Sequence, residues 1–162
     1  MVGDELDMSH PDLGTLSRLD LSQVSDLSGI EYFTGLDSLY LQISTQWPQT
    51  LPPSITYLRT NGSPDGTPGP YTTPAPTLQS LSLYECRLDI AEVLVIPPSV
   101  KRFIIADCGF IIPQVLLEGL EYCSISDVSG QMAAQSSWPA ALDTLYLWTL
   151  AFQILQPCLS FP

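Results

Sequence analysis

Leu51–Leu58 reads LPPSITYL and Ile96–Phe103 reads IPPSVKRF, nearly the same phrase at two places in one short chain. The phrase belongs to a longer periodicity. Aligned on apolar-x-x-apolar-x-apolar, seven segments emerge: LSRLDL from Leu16, LDSLYL from Leu36, ITYLRT from Ile55, LQSLSL from Leu78, VKRFII from Val100, LEYCSI from Leu120 and LDTLYL from Leu142. Their starts follow one another at a nearly even step, the signature of stacked structural repeats. Within each segment the last two apolar positions lie two apart, the alternation of a strand, and the first lies three positions earlier where the chain turns into that strand. Each unit is therefore one short strand and one return segment.

This pattern resembles the leucine-rich repeat superfamily, whose L-x-x-L-x-L-x-x-N/C-x-L motif recurs at a step of this size. The resemblance covers most of the chain. LPPSI, IPPSV and WPAAL, each just ahead of a repeat's first apolar residue, look like the short subtype with Leu-Pro before the strand. That subtype is found in secreted bacterial leucine-rich effectors and, more loosely, in FNIP repeats. The proline pair sits where a return segment ends, since Pro fixes its own φ and biases its predecessor toward extended backbone. The resemblance implies a repeat solenoid of the α/β leucine-rich type, with about seven repeats of roughly 19–23 residues. A parallel β-sheet would line the concave face, with short turns and one-turn helices on the convex face. Residues 1–15 read as an acidic leader or cap, 16–150 as the solenoid and 151–162 as an apolar tail or cap, because terminal repeats otherwise expose an apolar face.

The motif's asparagine position holds Val24, Ser44, Ser63, Cys86, Cys108, Val128 and Leu150, and the chain has one asparagine, Asn61. A regular asparagine ladder is thus excluded, and the bends need Ser, water or neighbouring backbone to satisfy their amides. SDLSGIEYF (Ser25–Phe33) and SGQMAAQSSW (Ser129–Trp138) each read as a short Ser-capped helix, whereas NGSPDGTPGPYTTPAPT (Asn61–Thr77) reads as turns and polyproline-like backbone and the most mobile loop.

Composition narrows the function. The 162 residues carry a net charge of −12, so the averaged field opposes phosphate backbones and anionic lipid, and nucleic acid is an unfavourable partner. MVGDELDMSHPD lacks the positive start and apolar run of a secretory signal, which favours an intracellular protein with reduced cysteines. Thr144–Pro162 is uncharged but interrupted by Gln153, Gln156 and Pro157, so a membrane span is not expected. Cys86 and Cys108 hold equivalent places in adjacent repeats. They read as small buried apolar residues, with a disulfide as the alternative at a strand spacing of about 5 Å. Zinc is not expected: there is no C-x-x-C, and His10 is the single histidine.

Residues between the apolar positions fall in three outward columns along the sheet. The first reads Arg18, Ser38, Tyr57, Ser80, Arg102, Tyr122, Thr144; the second Asp20, Tyr40, Arg59, Ser82, Ile104, Ser124, Tyr146; the third Ser22, Gln42, Asn61, Tyr84, Ala106, Ser126, Trp148. These hold five of the seven tyrosines and three of the five basic residues. Strand propensity accounts for tyrosine but not for scarce arginines on the same face. Tyr40, Tyr57, Arg59, Tyr84, Arg102, Tyr122, Tyr146 and Trp148 are therefore the candidate binding residues, of the types that dominate interface energetics. The expectation is a protein-interaction module, a monomer or weak dimer, that binds a protein or peptide whose basic character suits the overall field. A surface or adhesion repeat binding a glycan or host receptor is one alternative, and a self-assembling structural repeat the other. No catalytic site, metal or cofactor is expected: His10 lies outside the repeats, NGSPDGTPG lacks the lysine and helix of a phosphate loop, and an open sheet separates no pair of carboxylate pKa values. In many of the effectors that the repeats resemble, a separate ubiquitin-ligase domain follows; in a larger protein of that kind, these repeats would be the recognition half.

Overall fold

The computed structural model describes residues 11–24, 26–42, 50–62, 76–85, 96–108, 118–126 and 138–148. Seven five-residue strands fall on the seven repeats: β1 (Arg18–Ser22), β2 (Ser38–Gln42), β3 (Tyr57–Asn61), β4 (Ser80–Tyr84), β5 (Arg102–Ala106), β6 (Tyr122–Ser126) and β7 (Thr144–Trp148). They form one sheet in chain order, with every neighbouring pair parallel. Register runs without a slip, so Leu39, Leu58, Leu81, Phe103, Cys123 and Leu145 make one row and Leu41, Thr60, Leu83, Ile105, Ile125 and Leu147 the next. The architecture is a parallel-strand repeat solenoid.

Alternation decides which row is core. Leu39, Leu58, Leu81, Phe103 and Cys123 are fully buried, as are Leu36, Ile55, Leu78, Val100 and Leu120 from the strand starts. Side chains of this size stabilise by about 1.5–3 kcal/mol each when buried. Since each coil meets only its neighbours, the core is a continuous file of such residues rather than a central ball.

Two backbone ladders hold the coils in register. At each strand start, consecutive amides donate to one carbonyl of the preceding coil: Asp37 and Ser38 to Ser17 O, Thr56 and Tyr57 to Asp37 O, Gln79 and Ser80 to Thr56 O, and so on to Asp143 and Thr144 on Glu121 O. At strand ends the chain bends through a left-handed residue, Gln23 (φ 58°), Gly62 (φ 81°), Glu85 (φ 51°) or Asp107 (φ 54°). The amide of each donates to the last residue of the next strand, on Gln42, Tyr84, Ala106 and Ser126 O at 2.9–3.1 Å. Each of these bend residues lies one position before a site where the resembled motif carries asparagine or cysteine. Of the motif's bend positions, Ser44, Ser63, Cys86, Val128 and Leu150 lie outside the described residues, whereas Cys108 directs its thiol at Ala106 O (3.0 Å) and Leu83 O (3.6 Å).

The proline phrases close a turn as their spacing implies. Ile55, Val100 and Leu142 amides donate to Pro52, Pro97 and Pro139 O at 3.0–3.1 Å. Leu36 donates to Phe33 O at 3.0 Å, so Phe33-Thr34-Gly35-Leu36 is the same turn without a proline. At two of the turns the hydroxyl just before the first apolar residue ties the turn to the coil before it: Ser54 Oγ donates to Leu36 O at 2.7 Å, and Thr77 Oγ1 to Ile55 O at 2.8 Å.

The return segments depart from the α/β type expected. Among the described residues there is no α-helix; the helical pieces are two 3-10 turns, Pro11–Gly14 and Ile30–Tyr32. The expected Ser-capped helix over Ser25–Phe33 is replaced because Leu27, Ile30, Phe33 and Leu36, all buried, recur at every third position, the period at which 3-10 side chains eclipse. Gly29, left-handed at φ 91°, opens that turn without a side-chain cap. The second expected helix, apart from Trp138, and most of the Asn61–Thr77 loop lie outside the described residues, as do residues 1–10, Cys86 and 149–162. No described helix is long and apolar enough to cross a membrane.

Candidate binding face

The sheet register carries all 21 outward positions onto one face in the three columns read from the sequence, and every one of them is described. At a strand spacing of about 4.8 Å this face is roughly 30 Å long. All eight candidate residues lie on it. Arg59, Arg102, Tyr146 and Trp148 are exposed, the last at 62%, and Tyr40, Tyr57, Tyr84 and Tyr122 are half-buried.

Their mutual arrangement is not readable from the columns alone. Three guanidinium groups each stack on a tyrosine of the following strand: Arg18 on Tyr40 at 4.3 Å from the ring centre, Arg59 on Tyr84 at 4.5 Å and Arg102 on Tyr122 at 3.7 Å. Tyr40 in turn meets Tyr57 (5.2 Å between centres) and Tyr122 meets Tyr146 (5.9 Å). Cation–π contacts of this kind contribute about 0.5–1 kcal/mol at exposed sites. Their larger effect is to hold long side chains in one geometry before a partner arrives, which lowers the ordering cost of binding. The detectable signal lies in the diagonals, because Arg and Tyr recur on neighbouring strands at zero or two positions' offset, within reach of long side chains across a sheet.

Arg18 is the most constrained of the three. Its Nη2 donates to Asp20 Oδ2 at 3.0 Å and its Nε to the same oxygen at 3.3 Å, and this hydrogen bond, followed by the carboxylate charge, raises its pKa. Arg18, Asp20, Tyr40, Gln42, Arg59 and Asn61 border a shallow open depression of about 470 Å³ over β1–β3. Lys101 lies off the three columns, paired with Glu121 at 2.9 Å.

Charge is distributed unevenly. The 21 outward positions hold three arginines and one carboxylate, a local +2, so within a net charge of −12 the remainder of the chain carries −14. The face is a cationic strip in an anionic molecule. Its centre also has a polar irregularity: Asn61 Oδ1, Ser80 Oγ and Ser82 Oγ are buried without a hydrogen-bond partner, and Ser82 is only 1% exposed. The chain matches no protein-family model, no curated protein and no solved structure.

Proposed function

We propose that the chain is a divergent leucine-rich repeat module whose concave face binds a protein or an extended peptide and performs no chemistry of its own. The observation that carries this reading is the stacked Arg–Tyr array, in which aromatic and guanidinium groups share one strip and are already ordered against each other. Such groups offer large contact area with a polar edge at low entropic cost. The anionic remainder of the chain favours a partner with basic surroundings, while the strip itself sets orientation.

The test is affinity capture with the wild type and with a Tyr84→Ser/Trp148→Ser variant, at low and moderate salt. The reading expects a protein retained by the wild type and lost by the variant; equal retention, or none by either, removes it. A second reading rests on a separate observation: Leu16 and Leu147, at opposite ends of the sheet, are 37% and 39% exposed although their repeat positions are core elsewhere. Under that reading the coils stack end to end, and light scattering is expected to show mass growing with concentration instead of a fixed monomer or dimer.

A further inference from the structure

Building on the concave-face reading, we propose that the centre of the face, over β3–β6, is a subsite for the carboxylate of an acidic residue in a bound peptide. Ser82 has Arg59 as its register partner on β3, and Ser80 has Arg102 as its partner on β5. Two arginine–serine pairs thus lie diagonally across β4. The Arg59 guanidinium carbon lies 4.5 Å from the Tyr84 ring centre on β4 and that of Arg102 3.7 Å from the Tyr122 ring centre on β6, so both side chains are held along the face with N–H donors to offer an acceptor. Carboxylates take such donors in short charge-assisted bonds.

The unpartnered atoms point the same way. Among the described residues, Asn61 Oδ1, Ser80 Oγ and Ser82 Oγ are the buried side-chain polar atoms without a partner, and all three belong to the concave columns of β3 and β4. A buried hydroxyl left unpaired is destabilising, so its presence at this one place asks for an acceptor. Serine hydroxyls donate to an oxyanion, and Asn61 Oδ1 accepts from an N–H. That combination suits a peptide, which brings a carboxylate and backbone amides together. It also suits the local +2 of the strip.

A phage-displayed library of random short peptides, selected on the whole protein, tests this. Sequences selected by the wild type and lost on Tyr84→Ser/Trp148→Ser are expected to share one Glu or Asp position. In a synthetic copy of such a peptide, changing that residue to its amide is expected to weaken binding to wild type about tenfold and to leave binding to Arg59→Gln/Arg102→Gln unchanged. Should the paired glutamine variant not melt cooperatively, Ser82→Ala serves: thermal stability equal to or above wild type with several-fold weaker binding of the acidic peptide supports the subsite. Face-dependent peptides without an acidic position, or an amide form that binds as well as the acid, overturn the carboxylate subsite and leave the concave-face reading standing. No selection, or selection equal on the Tyr84/Trp148 variant, overturns the peptide subsite, and the concave-face reading then rests on the capture experiment alone.

Discussion

Two glycines in equivalent turns illustrate how far a single residue can be read. A Cβ on Gly35 would fall on the carbonyl oxygen of Gly14, which is backbone and cannot swing aside, whereas one on Gly119 would meet nothing. Gly35→Ala is therefore expected to lower unfolding free energy by about 1–3 kcal/mol or more. Gly119→Ala is expected to leave it unchanged or raise it by up to about 1 kcal/mol, both read from chemical denaturation. Nothing local distinguishes the two glycines, for the difference arises from Gly14 in the coil before. Cys123 is a second case. Its core place is legible from alternation, and burial pushes its thiol up to about 12. The unfolded thiol ionises near its ordinary pKa of about 8.5 and the folded one does not, so its contribution to stability is full below that value and is lost as pH rises toward 12. At a pH of about 8 the native protein is expected to leave Cys123 unmodified by iodoacetamide, with labelling on unfolding; prompt native labelling would contradict its burial.

At the scale of the element, strands and turns divide cleanly. Five-residue strands are legible in every repeat, with period-two burial in β2, β3, β5 and β6, because a sheet with one buried face writes its register into the hydrophobic pattern. The return segment over Ser25–Phe33 reads as a helix and forms a 3-10 turn, because a short apolar run spaced by three fits either period until packing selects one. The bends are less legible still. Glu85 adopts left-handed backbone that its residue type does not announce and Asp107 one that aspartate tolerates better, and in both the bend's amide donates to the next strand. Asp107→Val is expected to cost about 1–3 kcal/mol, since β-branched residues are poorly tolerated at positive φ. Asp107→Gly is expected to be neutral or better. Equal effects of the two substitutions in a denaturant titration would show that conformation at this bend is not what holds it.

For the molecule as a whole, the filed core makes stability a matter of neighbours. Phe103, the largest fully buried side chain among the described residues, sits on β5 in the middle coils, so Phe103→Ala is expected to cost about 3–5 kcal/mol and to abolish a single cooperative melt or shift it strongly downward. Tyr84→Ser/Trp148→Ser is expected to keep that melt, both side chains lying on the outer face; its loss would mean that the strand register is wrong. The repeat step, the strand positions, the buried rows and membership of the eight candidate residues in one face were determined by the sequence alone, since alternation and spacing are local properties of a chain that must bury one side of every strand. Tertiary structure alone decided which arginine stacks on which tyrosine, that bend amides donate to the end of the next strand, that Gly35 admits no side chain, and that Ser80, Ser82 and Asn61 keep unpaired polar atoms. Each of these depends on the offset between neighbouring coils, and that offset is set by packing and backbone hydrogen bonding between coils, not by the pattern within any one of them.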